Sequence, residues 1–339
     1  MDLPTIARGI GARTGFAPVP ISLGFEITHL CNLDCSYCDR HAQKPREMTR
    51  EQILTALGQF HELGMRHVSL DGGEPLTHRN IDEVVAFLVQ RRVRVYMNSN
   101  GVLVPKKLAP VRLLAKLKIS LDGPPECHDA IRGKGTWQKA IDGALAAREV
   151  GTGVSLTCVV GRHNVDHIDA LLAFAERSGF SIVFQPARSS LFLDTRRDGS
   201  AYQLDATSTR RVFRRLESAK LGGSPAIGNR WSSLRHFREF PDDVSIPCAA
   251  GYINATLDPE GFLYHCGQIS RADRSINVVR LGAASAFELL SRGGCAQCWC
   301  ARVVEENYAW GGRVGQMLPP LAAPASTPSP PVRRLKVVA

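Results

Sequence analysis

Cys31, Cys35 and Cys38 fall within the run Glu26-Ile-Thr-His-Leu-Cys31-Asn-Leu-Asp-Cys35-Ser-Tyr-Cys38. Three thiolates presented by one tight loop can grip three irons of a cubane and leave the fourth iron without a protein ligand. Such an iron is a place for a substrate or cofactor to bind. A closed structural site would want a fourth side chain, as in a zinc knuckle completed by His29 or His41. Three merely buried thiols are the remaining alternative.

The loop follows a segment, 23–28, that reads as a buried strand. A helical stretch over 48–63 and a second strand over 67–70 lead into Asp71-Gly72-Gly73-Glu74-Pro75. Two glycines and a proline at a strand's end force a tight turn that exposes backbone donors and acceptors, and a carboxylate there suits an ammonium group. Together the two motifs resemble the radical S-adenosylmethionine (SAM) superfamily, over about residues 21–190. The resemblance implies a [4Fe-4S] cluster on Cys31, Cys35 and Cys38, with the methionyl amine and carboxylate of SAM chelating the open iron. It further implies that Gly72, Gly73, Glu74 and Pro75 contact the amine, through the Glu74 carboxylate above all, and that Tyr37 lies near the adenine.

Alternating patterns set the fold expected around these motifs. Strands are expected at 23–28, 67–71, 93–98, 116–121, 153–160 and 180–185, with helices near 49–63, 80–91, 105–114, 136–149, 165–178 and 205–219. Ile81, Val84, Val85 and Leu88 keep helical spacing, while Val154, Leu156 and Cys158 alternate as a strand would. Repeated βα units imply parallel strands with right-handed crossovers. The expected fold class is therefore α/β, a partial (βα)6 TIM-like barrel forming the radical SAM core. In parallel barrels chemistry collects at the C-terminal strand ends. The cysteine loop, the glycine turn, Asn98-Ser-Asn100-Gly and Ser120-Leu-Asp122-Gly all fall there. By resemblance, Ser120, Asp122 and Asn100 help hold SAM, and Arg132 matches an arginine that pairs with its carboxylate, for which a guanidinium fork is suited.

The second half carries another thiol set. Cys248 and Cys266 flank the turn Asp258-Pro-Glu-Gly261 between two apolar segments, a hairpin signal, and Cys295-Ala-Gln-Cys298-Trp-Cys300 follows. Cys248, Cys266, Cys295 and Cys298 suit zinc or an auxiliary iron-sulfur cluster, with Cys300 as an alternative ligand. Beside a radical SAM core the pattern is similar to the twitch module, the one-cluster relative of the SPASM domain, a small β-hairpin-plus-helix unit. This implies a second auxiliary [4Fe-4S] cluster. In sulfatase-maturing relatives an Asp base follows the cysteine after the hairpin; here that position is Gly267. Cys127 and Cys158 read as ordinary loop and core residues.

The 339 residues suffice for one large domain and a small one. The expected divisions are 1–20 as an N-terminal extension, 21–190 as the core, 191–245 as a basic helical linker, 246–312 as the auxiliary domain and 313–339 as a disordered tail. No apolar run reaches membrane-spanning length, and Met1-Asp-Leu-Pro lacks a secretory signal, so the expected location is cytoplasmic and no membrane partner is expected. The formal charge is +10, of which residues 188–240, with eleven Arg/Lys against five Asp/Glu, hold a large share. Arg210, Arg211, Arg214 and Arg215 make either a solvated helix face or a surface attracting an anionic substrate or acidic leader peptide. No aromatic-and-basic motif supports nucleic acid.

The leading expectation is a radical SAM oxidoreductase or modifying enzyme that cleaves SAM to a 5′-deoxyadenosyl radical and acts on a small, anionic metabolite. A flavodoxin- or ferredoxin-type donor would supply the electron, and the auxiliary cluster would anchor substrate or accept an electron. About twenty residues precede the first strand, which leaves little room for a fused leader-peptide domain and favours a small molecule over the alternative, a peptide maturase. A zinc-bearing nucleic-acid-binding protein is the third reading.

Overall fold

Apolar alternation along each strand and apolar stripes along each helix fold into a βα layer arrangement. The computed structural model describes residues 3–13, 18–189, 198–242, 246–267, 274–290, 298–312 and 314–319. Six strands form the arc: β1 (Ser22–Thr28), β2 (His67–Gly72), β3 (Arg94–Ser99), β4 (Lys116–Ser120), β5 (Val154–Val160) and β6 (Ile182–Pro186). Helices α1 (Leu3–Arg13), α2 (Arg50–Glu62), α3 (Ile81–Gln90), α4 (Leu108–Val111), α5 (Pro125–Arg132), α6 (Thr136–Glu149) and α7 (Ile168–Ser178) precede or separate them. Then come α8 (Ala206–Leu221), α9 (Trp231–Arg238), β7 (Asn254–Leu257), β8 (Leu263–Tyr264), α10 (Val278–Leu281), α11 (Ala283–Glu288) and α12 (Ala301–Trp310).

The sheet runs β6-β5-β4-β3-β2-β1-β7-β8, parallel throughout except for the antiparallel β7–β8 pair. The arc is the expected α/β partial barrel. Its outer face buries Val68, Leu70, Met97, Leu117 and Ile119 beneath the helices, with Phe60, Val85 and Leu88 among the helical side chains that cover them. The inner face is polar: in β4, Leu117 and Ile119 are buried while Lys116, Lys118 and Ser120 alternate with them. That alternation departs from the continuous apolar run of an ordinary parallel strand.

The expected hairpin between Cys248 and Cys266 is present as β7–β8, with Thr256 opposite Tyr264. β7 also pairs in parallel with β1, Ser22 opposite Asn254, so the hairpin continues the barrel sheet. Asp258 serves the turn, accepting the Glu260 and Phe262 N–H groups at 2.9 Å. Helix α12 links β6 at one edge of the sheet to β1 and β7 near the other. Ala301 N–H donates to Gln185 Oε1 of β6 at 3.3 Å. Glu306 accepts from Ser22 of β1 and Asn254 of β7, both at 2.9 Å, and pairs with Arg302 at 3.0 Å.

Several expectations change in detail. The helix expected over 105–114 is a 3-10 turn, Val104–Lys106, and the short α4, because Pro105 and Pro110 deny it backbone donors. The stretch before β1 contains α1, and Ala12 packs there with Ile21, Ala249 and Ile253. Cys127 lies on α5 rather than in a loop. Residues 314–317 of the expected tail form a 3-10 turn, and Met317 packs on the core; 313 and 320–339 lie outside the described residues. Among the described residues no helix is long and apolar enough to cross a membrane.

Replacing Glu306 by Ala removes the acceptor shared by β1, β7 and Arg302. We expect a loss of roughly 1.5–3 kcal/mol, the scale of a hydrogen bond to a charged group. Urea unfolding would measure it, and an unchanged midpoint would show that α12 does not hold β1 and β7 through this side chain.

Candidate functional site

The cysteine loop leaves β1 at Thr28 and is fastened to the glycine turn that leaves β2. Gly73 N–H donates to Thr28 O and Glu74 N–H to Leu30 O, both at 2.8 Å. A β-carbon on Gly72, at φ +128°, would overlap the Thr28 carbonyl, and one on Gly73 the Leu30 carbonyl, so only glycine permits this approach. Farther along, Ser36 N–H donates to Ile131 O of α5 at 3.0 Å. The three cysteines border one cavity. Burial raises the Cys31 thiol and pushes Cys35 up to about 11. Iron binding would have to displace these protons.

Tyr37, between the last two cysteines, donates to Asp122 Oδ2 at 2.7 Å. Arg132 Nε donates to the same oxygen at 2.6 Å and Nη2 donates to the Tyr37 hydroxyl. Val159 N–H reaches Asp122 Oδ1 at 3.2 Å. Burial alone would raise the pKa of Asp122, but the Arg132 charge and these bonds reverse it, holding the carboxyl below its usual range. Glu74 is fully buried and accepts from Asn100 N–H (2.7 Å), Leu76 N–H (3.2 Å) and the Ser99 hydroxyl (2.9 Å). Burial pushes Glu74 up to about 7 against those bonds. Asn100 Nδ2 in turn lies 3.9 Å from Cys31 Sγ.

The cavity, about 370 Å³, extends from this rim into the barrel lumen. Cys31, Cys35, Cys38, Tyr37, Gly72, Gly73, Asn100, Ser120 and Arg132 form its upper wall. Glu74, Pro75 and Asp122 do not line it. The Glu74 carboxylate, expected to hold an ammonium, fixes the end of β3 through Ser99 and Asn100. Pro75 starts the 3-10 turn Pro75–Thr77 that closes the glycine loop. The candidates for a fourth zinc ligand face carboxylates: His29 Nε2 is 3.1 Å from Glu26 and His41 Nε2 is 2.9 Å from Asp34. Among the described residues no three His, Cys, Asp or Glu side chains gather tightly enough to hold a lone metal ion.

Residues 25–175 match the radical SAM superfamily. The chain carries a radical SAM domain. That superfamily implies a [4Fe-4S] cluster and SAM. Mycofactocin maturase MftC of Mycolicibacterium smegmatis is 32% identical over 179 residues, which span 50% of this chain but only 45% of that protein. Mycofactocin maturase MftC of Mycobacterium ulcerans is 27% identical over 293 residues, 83% of this chain and 74% of that one. Among solved structures, Streptococcus suis SuiB bound to SAM superposes with a TM-score of 0.65 at 17% identity, covering 80% of this chain and 66% of that one. SuiB bound to its precursor peptide SuiA covers 91% of this chain and 70% of that one, with a TM-score of 0.60 at 16% identity.

The radical SAM rim fits its cofactors on two observations. Glycines 72 and 73 leave a backbone cradle facing the three thiols, and the donor set offers sulfur where iron is wanted. Of the second thiol set, Cys248, Cys266 and Cys298 are described, and Cys295 lies outside the described residues. Asn307, buried on α12, joins two of its segments: Nδ2 donates to Cys298 Sγ at 3.4 Å, and Oδ1 accepts Ala249 N–H, beside Cys248, at 2.8 Å. His236, pushed down to about 4 by burial and so neutral, donates to the Cys298 carbonyl. Cys300 instead lines the barrel cavity beside Arg302.

Sequence reasoning missed the lumen. Asp71, Asn98, Lys118, Thr157, Gln185 and Arg302 line it below the rim, and Asn98 donates to Asp71. The polar alternation in Lys116-Leu-Lys118-Ile-Ser120 is the signal that could have revealed this face.

Substituting Arg132 by Met leaves Asp122 buried and uncompensated, a loss of roughly 3–5 kcal/mol near neutral pH. The sign of the pH dependence follows. In the native protein the depressed Asp122 pKa adds stability that is present above the unfolded value and disappears as pH falls through the folded one. Without Arg132, burial raises that pKa, so the variant should gain stability as pH falls from 7 towards 4. Thermal melting across pH checks this, and parallel curves for the two proteins would remove Arg132 as the compensating charge.

Proposed function

We propose that this chain is a peptide-modifying radical SAM enzyme. The juxtaposition that carries the reading is a cysteine loop and a glycine turn hydrogen-bonded to each other above one polar lumen. Cys31, Cys35 and Cys38 would hold three irons, leaving the fourth to the amine and carboxylate of SAM. When bound, the cluster and SAM supply reductive cleavage to methionine and a 5′-deoxyadenosyl radical, which takes a hydrogen atom from the substrate. Gly72 and Gly73 present backbone to the amine, Ser120, Asn100 and Arg132 wall the remainder, and Tyr37 flanks the nucleoside end. Glu74 and Asp122 act through these groups: Glu74 fixes Ser99 and Asn100, and Asp122 orients Arg132 and Tyr37. A flavodoxin- or ferredoxin-type donor would supply the electron.

Two relatives named as maturases, one aligned over 83% of the chain, support a peptide over the small anionic metabolite first expected. That expectation leaned on the short stretch before β1, but recognition of a peptide can come from a separate protein, which makes this length uninformative. Cys248, Cys266, Cys295 and Cys298 would hold the auxiliary [4Fe-4S] cluster of a twitch- or SPASM-like domain. Asn307 touching Cys298, with Cys300 turned into the barrel, favours Cys298 as the ligand.

Reconstituted Cys35→Ala protein should form no 5′-deoxyadenosine with dithionite, and continued formation would overturn the core assignment. Wild type should bind about eight irons, two clusters of four. Cys298→Ala should keep about half and still cleave SAM; loss of auxiliary iron with Cys300→Ala alone would transfer the ligand role. Incubation with a precursor peptide encoded beside the gene should change the peptide mass in a SAM-dependent way. Turnover of a small metabolite with the peptide left unaltered would return the reading to the first expectation.

A further inference from the structure

Among the described residues that line the lumen, Lys118 is the cation without an ion-pair partner. Arg302 is committed to Glu306 and Ser22, and Arg132 to Asp122 and Tyr37. Lys118 lines the same cavity, yet among the described residues no carboxylate lies within 4.0 Å of its ammonium and it makes no hydrogen bond. Asp71, whose carboxyl senses the Lys118 charge, takes its hydrogen bond from Asn98 instead. On the adjacent strand, Ser155 stands in register with Lys118, and Thr157 with Ser120. Ser155 is fully buried, and its hydroxyl and that of Thr157 are buried without a partner. Thr157 lines the cavity, and Ser155, two residues earlier, shares its face of the strand. An ammonium and a hydroxyl that line one cavity from adjacent strands, neither with a partner among the described residues, call for an acceptor supplied from outside the protein.

We propose that Lys118, with Thr157 beside it on the adjacent strand, forms a subsite for a single carboxylate of the substrate. One ammonium matches one negative charge, whereas a phosphate dianion would face the neighbouring Asp71 with a single cation to balance it. The subsite rests on the peptide reading, and it deepens that reading by requiring a terminal carboxylate or an Asp/Glu side chain in the segment that enters the lumen.

The test uses reconstituted, SAM-loaded enzyme and equilibrium binding of three probes: N-acetylglycine, the α-amide of N-acetylaspartate, and neutral N-acetylglycinamide. One of the two acids should bind at least about tenfold tighter than the neutral amide, a typical margin for a charge-assisted contact. N-Acetylglycine binding would assign a terminal carboxylate, and the aspartyl probe a side chain. Lys118→Met should reduce the acid to the affinity of the neutral amide, and Lys118→Arg should restore most of the difference. Thr157→Val, which keeps volume and strand propensity, should weaken the acid alone and guards against a folding defect in the lysine variant. Equal binding of acid and amide by wild type, or of acid by wild type and Lys118→Met, would overturn the subsite. Loss of SAM affinity in Lys118→Met would also overturn it, by assigning the ammonium to the carboxylate of SAM. Should no peptide be modified while the acids still discriminate, the peptide reading fails and the carboxylate subsite stands.

Discussion

Asp122 has no exposed surface, yet it carries a charge, and three separate elements converge to make that tolerable. Arg132 comes from α5, Tyr37 from the cysteine loop and the Val159 N–H from β5. A buried ion pair of this kind adds little net stability over a hydrophobic substitute, because desolvation consumes most of the Coulomb gain. Its effect is geometric. Tyr37 can satisfy Asp122 only if the loop holding Cys35 and Cys38 lies against the end of β4, so the position of two thiols is coupled to the barrel rim.

The glycine turn imposes the second half of that constraint. Its backbone bonds to Thr28 and Leu30 set where the loop begins, and the Asp122 cluster sets where it ends. Glu74 then transmits the arrangement sideways, since one carboxylate holds both Leu76 in its own turn and Ser99-Asn100 at the end of β3. Three strand ends are thereby locked before any cofactor arrives. Such pre-organisation means that the supporting groups need not rearrange when a ligand binds at the rim.

The repeated βα units and the cysteine and glycine motifs were legible in the sequence because each depends on local spacing. Side-chain direction was not, since it depends on what tertiary packing brings near. Glu74 also fixes Ser99 and Asn100 at the end of β3, and Asp122 also holds Arg132 and Tyr37, contacts that no local spacing announces. Lys118 went unnoticed within an apolar strand because its partners lie on β5, about 37 residues later in sequence and adjacent only through the parallel crossover. The link from α12 to β1 and β7 was equally invisible: Arg302 and Glu306 look like an ordinary i,i+4 surface pair until Ser22 and Asn254 are placed beside them.

Cys298 and Cys300 show how two neighbouring thiols acquire different surroundings. In extended backbone the residues of a Cys-X-Cys unit would share a face. Here Cys300 caps α12, and the chain changes from extended to helical between them and Ala301. Trp299 is clamped between Phe240 and His236, at ring separations of 4.5 and 4.7 Å. With the intervening ring fixed and the Cys298 carbonyl held by His236, Cys298 meets Asn307 while Cys300 meets the lumen. The same short segment therefore contributes a sulfur to each side of α12, one towards the Cys248 segment and one towards the substrate cavity.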